Sequence, residues 1–296
     1  MPSPLPSPRV VLTGARGCLG GVLGRHLESR GYAVARVSRT GGPGIIGLEP
    51  FLAAPATGDP ILHLAWSSLP STAERQPGIE EREDLPLLRR LLEAQARAPR
   101  PAHFVFFSSG GTVYGNAAGD RPHREEDPCA PIGRHGRAKL AAEQLIRDLA
   151  PRLGLDWTIL RVSNPYGFAI PASHPQGIIP VAIEAARSGR PLTLWGDGTA
   201  RKDFLFHEDF GDAIDRVVDG RLTGVFNVAY GSSYSVADVL RLVEAAVGRP
   251  IERRHIPAHP WDVHNSLLDN ARFRASAGWT PAVGLAEGIR RMVSGR

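Results

Sequence analysis

Two kinds of stretch alternate along the first 165 residues of the chain. Short apolar runs, each long enough for a buried strand, occupy residues 10–12, 61–65, 104–107 and 157–162. Stretches with apolar residues at helical spacing lie between them, at 85–98 and at roughly 134–149. Strands that alternate with amphipathic helices predict an α/β fold with a doubly wound parallel sheet (a Rossmann fold). The ligand of such a sheet lies beyond the carboxyl ends of its strands.

The first strand leads directly into a glycine-rich turn. Gly14, Gly17 and Gly20 are three residues apart, with Cys18 and Leu19 between the last two, and a helical pattern follows. Glycines let the backbone approach a ligand closely, and the helix N-terminus offers free N–H groups with partial positive charge. Because a strand precedes the turn and a helix follows it, the pattern favours a pyrophosphate site over a purely structural turn.

The residues at the ends of the second strand and of the strand at 61–65 are expected to face the cofactor. The second strand, predicted over 32–39, ends with Ser38 and Arg39 and carries no carboxylate. An acidic residue there favours NAD, whereas arginine accommodates the 2′-phosphate of NADP. We therefore expect NADP, with NAD as the alternative, unless Arg39 is an ordinary surface arginine. Leu64 and Ala65 end the 61–65 strand and are expected to face the cofactor.

Composition limits the class of protein. The chain has 296 residues, 42% hydrophobic residues and a net charge of +5, which fit a globular protein with a sizeable core. Its basic residues are scattered and no nucleic-acid motif accompanies them, so a nucleic-acid partner is not expected. Apolar runs are too short for a membrane span. Residues 1–8 resemble a loose tail and not a signal peptide.

Two cysteines, Cys18 and Cys129, are too few to stabilise a chain of this size by disulfide bonds. The cysteine content therefore predicts a cytoplasmic protein. The histidines are irregularly spaced, so no metal site is expected. We divide the chain into the tail, a dinucleotide-binding domain over 9–167 and a mainly substrate-binding, smaller α/β domain over 168–296. The division follows a shift to prolines, glycines and shorter periodic segments after residue 167.

With these motifs in place, the chain resembles the extended short-chain dehydrogenase/reductases, in particular the NAD(P)-dependent nucleotide-sugar epimerase/dehydratase family. The resemblance runs from residue 10 to about 289 and rests on several motifs in order: Thr13-Gly14-x-x-Gly17-x-x-Gly20, Ser108 to Gly115, Arg161-x-x-Asn164-Pro165-Tyr166-Gly167, Trp195-Gly196-Asp197-Gly198, 203–209 and Gly278-Trp279-Thr280-Pro281. It implies a nucleotide-sugar substrate and a homodimer formed through two helices. The leucines at 85–98 fit a dimer contact and a core position equally.

The resemblance also implies a catalytic set. In this family a tyrosine four residues before a lysine acts as the base on a sugar hydroxyl, and the lysine binds the nicotinamide ribose. Lys139 matches the lysine, but His135 stands in the tyrosine position. The spacing keeps both on one helix face, and a neutral imidazole can accept a proton. Two interpretations follow: an active enzyme with His135 as the acid/base, or a family member that binds ligand without catalysis. Tyr114 and Tyr166 are alternative candidates for the role of the missing tyrosine.

The hydroxyl that bonds the reacting oxygen is displaced, because Gly110 stands where the family has Ser or Thr. Thr112, two residues further along an expected strand, is the first candidate and Ser109 the second. Either could instead be an ordinary hydroxyl that caps local backbone.

The resemblance assigns further residues to the substrate. Asn164 is expected to contact it, and Lys202 with its neighbour Arg201 is expected to bind the diphosphate. His259 occupies a second basic position of the family, with a surface histidine as the alternative interpretation. Lysine binds phosphate as a point charge without the bidentate fork of arginine.

These assignments predict an epimerase that removes hydride from a sugar carbon and returns it. An NADPH-dependent ketoreductase or a dehydratase on the same sugars is the alternative, and a silent cofactor-binding protein is the third. A dehydratase has an acidic pair beside the hydroxyl strand, and Gly110-Gly111 offers none.

Overall fold

The computed structural model describes residues 9–119, 121–170 and 177–295. The expected tail at 1–8 lies outside the described residues. Within them, seven parallel strands form one sheet in the order β10-β6-β5-β4-β1-β2-β3. These strands are β1 (Arg9–Thr13), β2 (Ala33–Ser38), β3 (Ile46–Gly47), β4 (Ile61–His63), β5 (Phe104–Ser109), β6 (Trp157–Val162) and β10 (Gly224–Val228). The predicted doubly wound parallel sheet is confirmed.

Helices cover both faces of this sheet. Those that follow its strands are α1 (Cys18–Ser29), α2 (Leu48–Ala53), α3 (Pro70–Arg75), α4 (Leu85–Ala96), α5 (Gly110–Val113) and α6 (Arg134–Leu149). Helix α8 (His207–Gly220) follows a strand outside this sheet and precedes β10. A π-helical turn, Glu80–Asp84, leads into α4, and a 3₁₀ turn, Pro151–Leu153, follows α6. Helices were expected at 85–98 and 134–149, close to the bounds of α4 and α6.

Successive side chains along a strand point to opposite faces of the sheet, and the sheet therefore has an apolar core on each face. Val10 packs on the side of α1 and α8, whereas its neighbour Val11 packs on the side of α4 and α6. The leucines of α4 on the second side, Leu88, Leu91 and Leu92, are fully buried within this single chain. Their helical pattern is therefore explained by core packing.

Most of the remaining elements cluster beyond the carboxyl edge of β6. They are β7 (Asn164–Tyr166), α7 (Ile178–Ser188), β8 (Leu192–Trp195), β9 (Arg201–Phe206), β11 (Ser233–Ser235), α9 (Val236–Val247), β12 (Arg253–Ile256) and α11 (Leu285–Ser294). Helix α10 (Ala271–Ala277) packs on the large sheet instead, with Phe273 against Phe226 of β10. Helices α7, α9 and α11 share a third apolar core with β8 and β9. Between them, α8 and β10 return to the large sheet, so the chain crosses back after residue 167.

Among the helices described, none combines the length and the apolar character needed to span a membrane.

Candidate functional site

The turn after β1 is shaped by two glycines. Gly14 has a φ of +72°, and a Cβ there would lie 2.6 Å from the backbone nitrogen of Ala65. A Cβ on Gly20 would lie 2.3 Å from the Gly14 carbonyl oxygen. Helix α1 therefore approaches the ends of β1 and β4 at a distance that only glycine permits.

The N-terminus of α1 is open to an anion. Gly17 is its N-cap without a side-chain cap, and its first turn carries no acidic residue. Cys18 is exposed, and Leu19 packs partly against the core. Free N–H groups with the positive end of the helix dipole fit the pyrophosphate of a dinucleotide. The residues present thus fit the expected cofactor.

At the end of β2, two of the expected cofactor residues lie on the surface. Ser38 donates a hydrogen bond to the Thr40 carbonyl over 2.6 Å, and Arg39 forms a 2.9 Å ion pair with Glu83. Arg16, from the glycine-rich turn, reaches the same place and donates to Thr40 Oγ1 over 3.1 Å. Sequence reasoning missed Arg16, although its position inside the glycine motif was a usable signal. Two guanidinium groups therefore flank the end of β2.

A cavity of about 570 Å³ opens beside the carboxyl ends of β5 and β6. Five of the predicted site residues line it: Thr112, His135, Asn164, Lys202 and His259. Ser109 and Arg201 are not among the described residues that line it. The Arg201 guanidinium instead donates to the Ser233 side chain and carbonyl, at 3.1 and 2.7 Å.

His135 is directed into the cavity from the first turn of α6. The residue is only 8% exposed, and its Nδ1 lies 3.3 Å from Ser68 Oγ. Burial lowers the pKa of His135 to about 3, and the positive charge of Lys139 acts in the same direction. The imidazole is therefore neutral at physiological pH and able to accept a proton.

Lys139 lies one helical turn behind His135. Its Nζ donates to the Phe107 carbonyl over 2.9 Å and sits 3.8 Å from the centre of the Trp66 ring. Burial lowers the pKa of Lys139 to about 7, opposed by the carboxylates of Asp84 and Glu143. A lysine held this way titrates within the physiological range.

The expected strand position of Thr112 is wrong. The chain leaves the extended conformation after Ser109, and Thr112 lies in the one-turn helix α5. A side chain at Gly110 would meet the Arg161 carbonyl oxygen at 2.9 Å and Leu268 at 2.4 Å, so this position has no room for a hydroxyl. Thr112 reaches the cavity through helical geometry, not through the two-residue alternation of a strand.

Both alternative tyrosines are buried, Tyr114 to 2% exposed and Tyr166 to 6%. The Tyr114 hydroxyl donates to Asn227 Oδ1 and accepts from Arg161, both over 2.8 Å, in a fully buried network. The Tyr166 hydroxyl faces α11, where a Cβ on Gly288 would lie 2.1 Å from it.

Two other polar residues of the cavity are held by their neighbours. Asn164 donates to the Asp203 carbonyl over 2.7 Å, and Lys202 forms a 3.0 Å ion pair with Asp262. An anionic ligand that binds Lys202 therefore competes with Asp262.

His259 is stacked between two indole rings, a feature that sequence reasoning missed. Its ring centre lies 4.0 Å from that of Trp195 and 4.4 Å from that of Trp261. Trp195 is 53% exposed at the cavity. Both ring faces of the histidine are covered, so only its edge can hydrogen-bond a ligand, while the outer indole offers a flat apolar surface.

Comparisons with known proteins agree with this geometry. The model of the NAD dependent epimerase/dehydratase family matches residues 10–229. A UDP-glucose 4-epimerase of Mycolicibacterium smegmatis is 34% identical over 205 residues, which are 69% of this chain and 65% of that protein. A dTDP-6-deoxy-L-talose 4-dehydrogenase (NAD(P)(+)) of Kitasatospora kifunensis is 29% identical over 96% of this chain and 94% of its own.

Among solved structures, the UDP-glucose 4-epimerase of Thermus thermophilus in complex with NAD superimposes with a TM-score of 0.87. It is 27% identical and is matched over 97% of this chain and 98% of its own. The chain spans between 60% and 65% of the lengths of the first curated relatives that it matches.

Proposed function

The chain belongs to the NAD-dependent epimerase/dehydratase family, and from this membership we propose that it is an NAD(P)-dependent nucleotide-sugar epimerase. It removes hydride from a sugar carbon and a proton from the hydroxyl group on that carbon, then returns the hydride to the opposite face of the carbonyl and the proton to its oxygen. The observation that carries the proposal is the neutral imidazole of His135, directed into the cavity one turn from Lys139.

The cofactor is held by the turn after β1. Backbone N–H groups at the start of α1, from Cys18 onward, bind its pyrophosphate, and Leu64 and Ala65 border it. Arg16 and Arg39, together with Ser38, support NADP over NAD because their donors suit a 2′-phosphate. A bound nicotinamide supplies the acceptor and donor of the hydride.

His135 performs the proton transfer. Its neutral ring accepts the proton of the sugar hydroxyl as the carbon is oxidised, and the resulting imidazolium returns it when the carbonyl is reduced. The low pKa of the ring, about 3, favours the return step. Thr112 donates to the reacting oxygen and stabilises the charge that develops on it. Lys139 is the residue that would hold the nicotinamide ribose, in exchange for its hydrogen bond to the Phe107 carbonyl.

The rest of the substrate occupies the outer cavity. Lys202 binds the diphosphate as a point charge after exchange with Asp262, and Asn164 contacts the phosphate or sugar. His259 donates from its ring edge, and the exposed face of Trp195 stacks on the nucleotide base. Arg201 is left out of this assignment because its guanidinium is bound to Ser233.

The proposal is tested by incubating the protein with a panel of nucleotide sugars and either cofactor. An epimerase interconverts two sugars without net consumption of cofactor. A ketoreductase consumes NADPH in proportion to product, and a silent protein does neither. Stoichiometric consumption, or no product with any sugar, would overturn the proposal.

An NADPH-dependent ketoreductase is the second candidate. Similarity to the dTDP-6-deoxy-L-talose 4-dehydrogenase over nearly the whole chain favours it, as does the basic end of β2. A dehydratase is less well supported, because Gly110 and Gly111 bring no carboxylate to the reacting carbon.

The proposal includes a cytoplasmic homodimer. Cys18 and Cys129 are both free thiols, which suits a reducing compartment. The dimer rests on the family resemblance, and light scattering of the purified protein tests it.

A further inference from the structure

Behind His135, on the side away from the substrate, lie two polar residues that the family motifs do not include. Ser68 is 4% exposed and follows β4, and Glu80 is 1% exposed in the π-helical turn before α4. Ser68 Oγ donates a hydrogen bond to Glu80 Oε1 and lies 3.3 Å from His135 Nδ1. The three residues form a continuous buried chain of polar groups.

The π-helical turn explains why an acidic residue is buried here. The backbone N–H of Leu85 bonds the Glu80 carbonyl five residues back, and the widened turn directs Glu80 and Asp84 inward. Glu81 and Glu83, in the same turn, remain exposed. The turn therefore buries the carboxyl groups at positions 80 and 84 and leaves those at 81 and 83 in solvent.

Hydrogen counting fixes the state of the imidazole. A serine hydroxyl has one hydrogen, and Ser68 gives it to Glu80, so its oxygen can only accept from His135. The proton of the neutral ring then lies on Nδ1, and Nε2 carries a lone pair. Among the described residues, Nε2 has no hydrogen-bond partner, while the ring lines the cavity.

We propose that Glu80 and Ser68 are positioning residues that hold His135 as the Nδ1–H tautomer and thereby present Nε2 as the proton acceptor. A carboxyl group that orients a histidine through its second nitrogen is a recurring arrangement in acid/base catalysis; here the serine hydroxyl bridges the two. When Nε2 takes up the substrate proton, the Glu80 carboxyl, through Ser68, stabilises the imidazolium. The inference rests on the proposed role of His135 as the base.

The direct test is the tautomer of His135, measured by ¹⁵N NMR of the full chain labelled in histidine, with His135→Gln identifying the resonance. We expect an unprotonated Nε2 and a protonated Nδ1 in the unmodified protein. Ser68→Ala removes the acceptor of Nδ1–H and should populate both tautomers. Glu80→Gln can donate to Ser68, which frees the serine hydrogen for Nδ1 and should move the ring proton to Nε2.

Turnover gives the second readout. Ser68→Ala and Glu80→Gln should lower kcat by at least about tenfold, with KM and cofactor affinity unchanged, and Ser68→Thr should restore kcat. Glu81→Gln, the same chemical change at the exposed neighbour, is the matched control and should leave both readouts unchanged. Circular dichroism confirms that each variant is folded.

The outcomes separate this inference from the proposed function. An Nε2–H tautomer in the unmodified protein, a tautomer insensitive to both substitutions, or an altered tautomer with full kcat would overturn the positioning role. The expected tautomers in a protein that converts no nucleotide sugar would leave Glu80 and Ser68 as orienting residues and reject the epimerase.

Discussion

His135 and Lys139 lie one turn apart on α6, but only the imidazole lines the cavity; the lysine Nζ is bound behind it to the Phe107 carbonyl at 2.9 Å. The ammonium is thus close enough to lower the pKa of His135 without occupying the space of the substrate. The spacing of four residues places the two side chains on the same side of α6.

Replacing His135 by Phe should abolish turnover. The phenyl ring fills the same space but cannot accept a proton, so kcat should fall by about 10²- to 10⁴-fold, the range of general acid–base catalysis. Cofactor affinity, measured by fluorescence titration, should be unchanged. His255→Phe, at an exposed position on β12, is the control. Retained activity in His135→Phe would exclude the imidazole as the acid/base.

The charge of Lys139 should be visible in the titration of His135. Burial and this charge lower the pKa of His135 to about 3, below the ordinary value of about 6.5. The ring therefore stays neutral as the pH falls through 6.5 and protonates only in stronger acid. Lys139→Met removes one of the two causes, so the pKa measured by NMR should rise. An unchanged or lower pKa would contradict the coupling.

Arg39 should select for NADP. Its exposed guanidinium pairs with Glu83, and we expect it to exchange this partner for a 2′-phosphate. Because hydrogen bonds to charged groups contribute about 1.5–3 kcal/mol, Arg39→Ala should weaken NADP binding by about tenfold or more. Binding of NAD in the same variant is the internal control. Glu83→Gln releases the guanidinium and should preserve or strengthen NADP binding. Equal affinity for both cofactors in the unmodified protein would reject this role.

Much of the cofactor half could be predicted from the sequence, since strand–turn–helix geometry is a local property. Gly14 and Gly20 are required by contacts within a few residues or with the adjacent strand. The surroundings of Thr112 could not be predicted, because Arg161 and Leu268, which leave no room for a side chain at Gly110, are distant in sequence.

The support behind His135 was also hidden from sequence reasoning. Glu80 stands in the run Glu-Glu-Arg-Glu-Asp, a composition typical of a solvated helix face. Its burial depends on the π-helical turn and on its long-range contact with Ser68. The stacking of His259 between Trp195 and Trp261 likewise joins two segments more than sixty residues apart.

Lys202 and Asp262 should have opposite effects on the substrate KM. Lys202→Met removes the cation that we assign to the diphosphate and should raise KM about tenfold. Asp262→Asn removes the competing carboxylate at 3.0 Å and should lower KM. Cofactor affinity should change in neither variant, and Arg190→Met, an exposed arginine paired with Glu184, is the control. Parallel changes in KM for the two variants would contradict the competition.

Glu143 should be essential for stability. Arg161 and Glu143 are buried, their side chains joined by a 2.7 Å ion pair, and Ser108 donates to the same carboxylate over 2.6 Å. Glu143→Gln leaves the buried guanidinium without its counter-ion, which costs about 3–5 kcal/mol of unfolding free energy.

Arg147 provides the matched control, because its exposed guanidinium pairs with the same carboxylate at 3.5 Å from the solvent side. Exposed ion pairs contribute about 0–1 kcal/mol, so Arg147→Ala should change the unfolding free energy by no more than that. Urea unfolding followed by circular dichroism measures both variants. Equal unfolding free energies for the two variants would mean that the buried guanidinium finds another acceptor. The ion pair with Glu143 would then not be what stabilises the packing of β6 against α6.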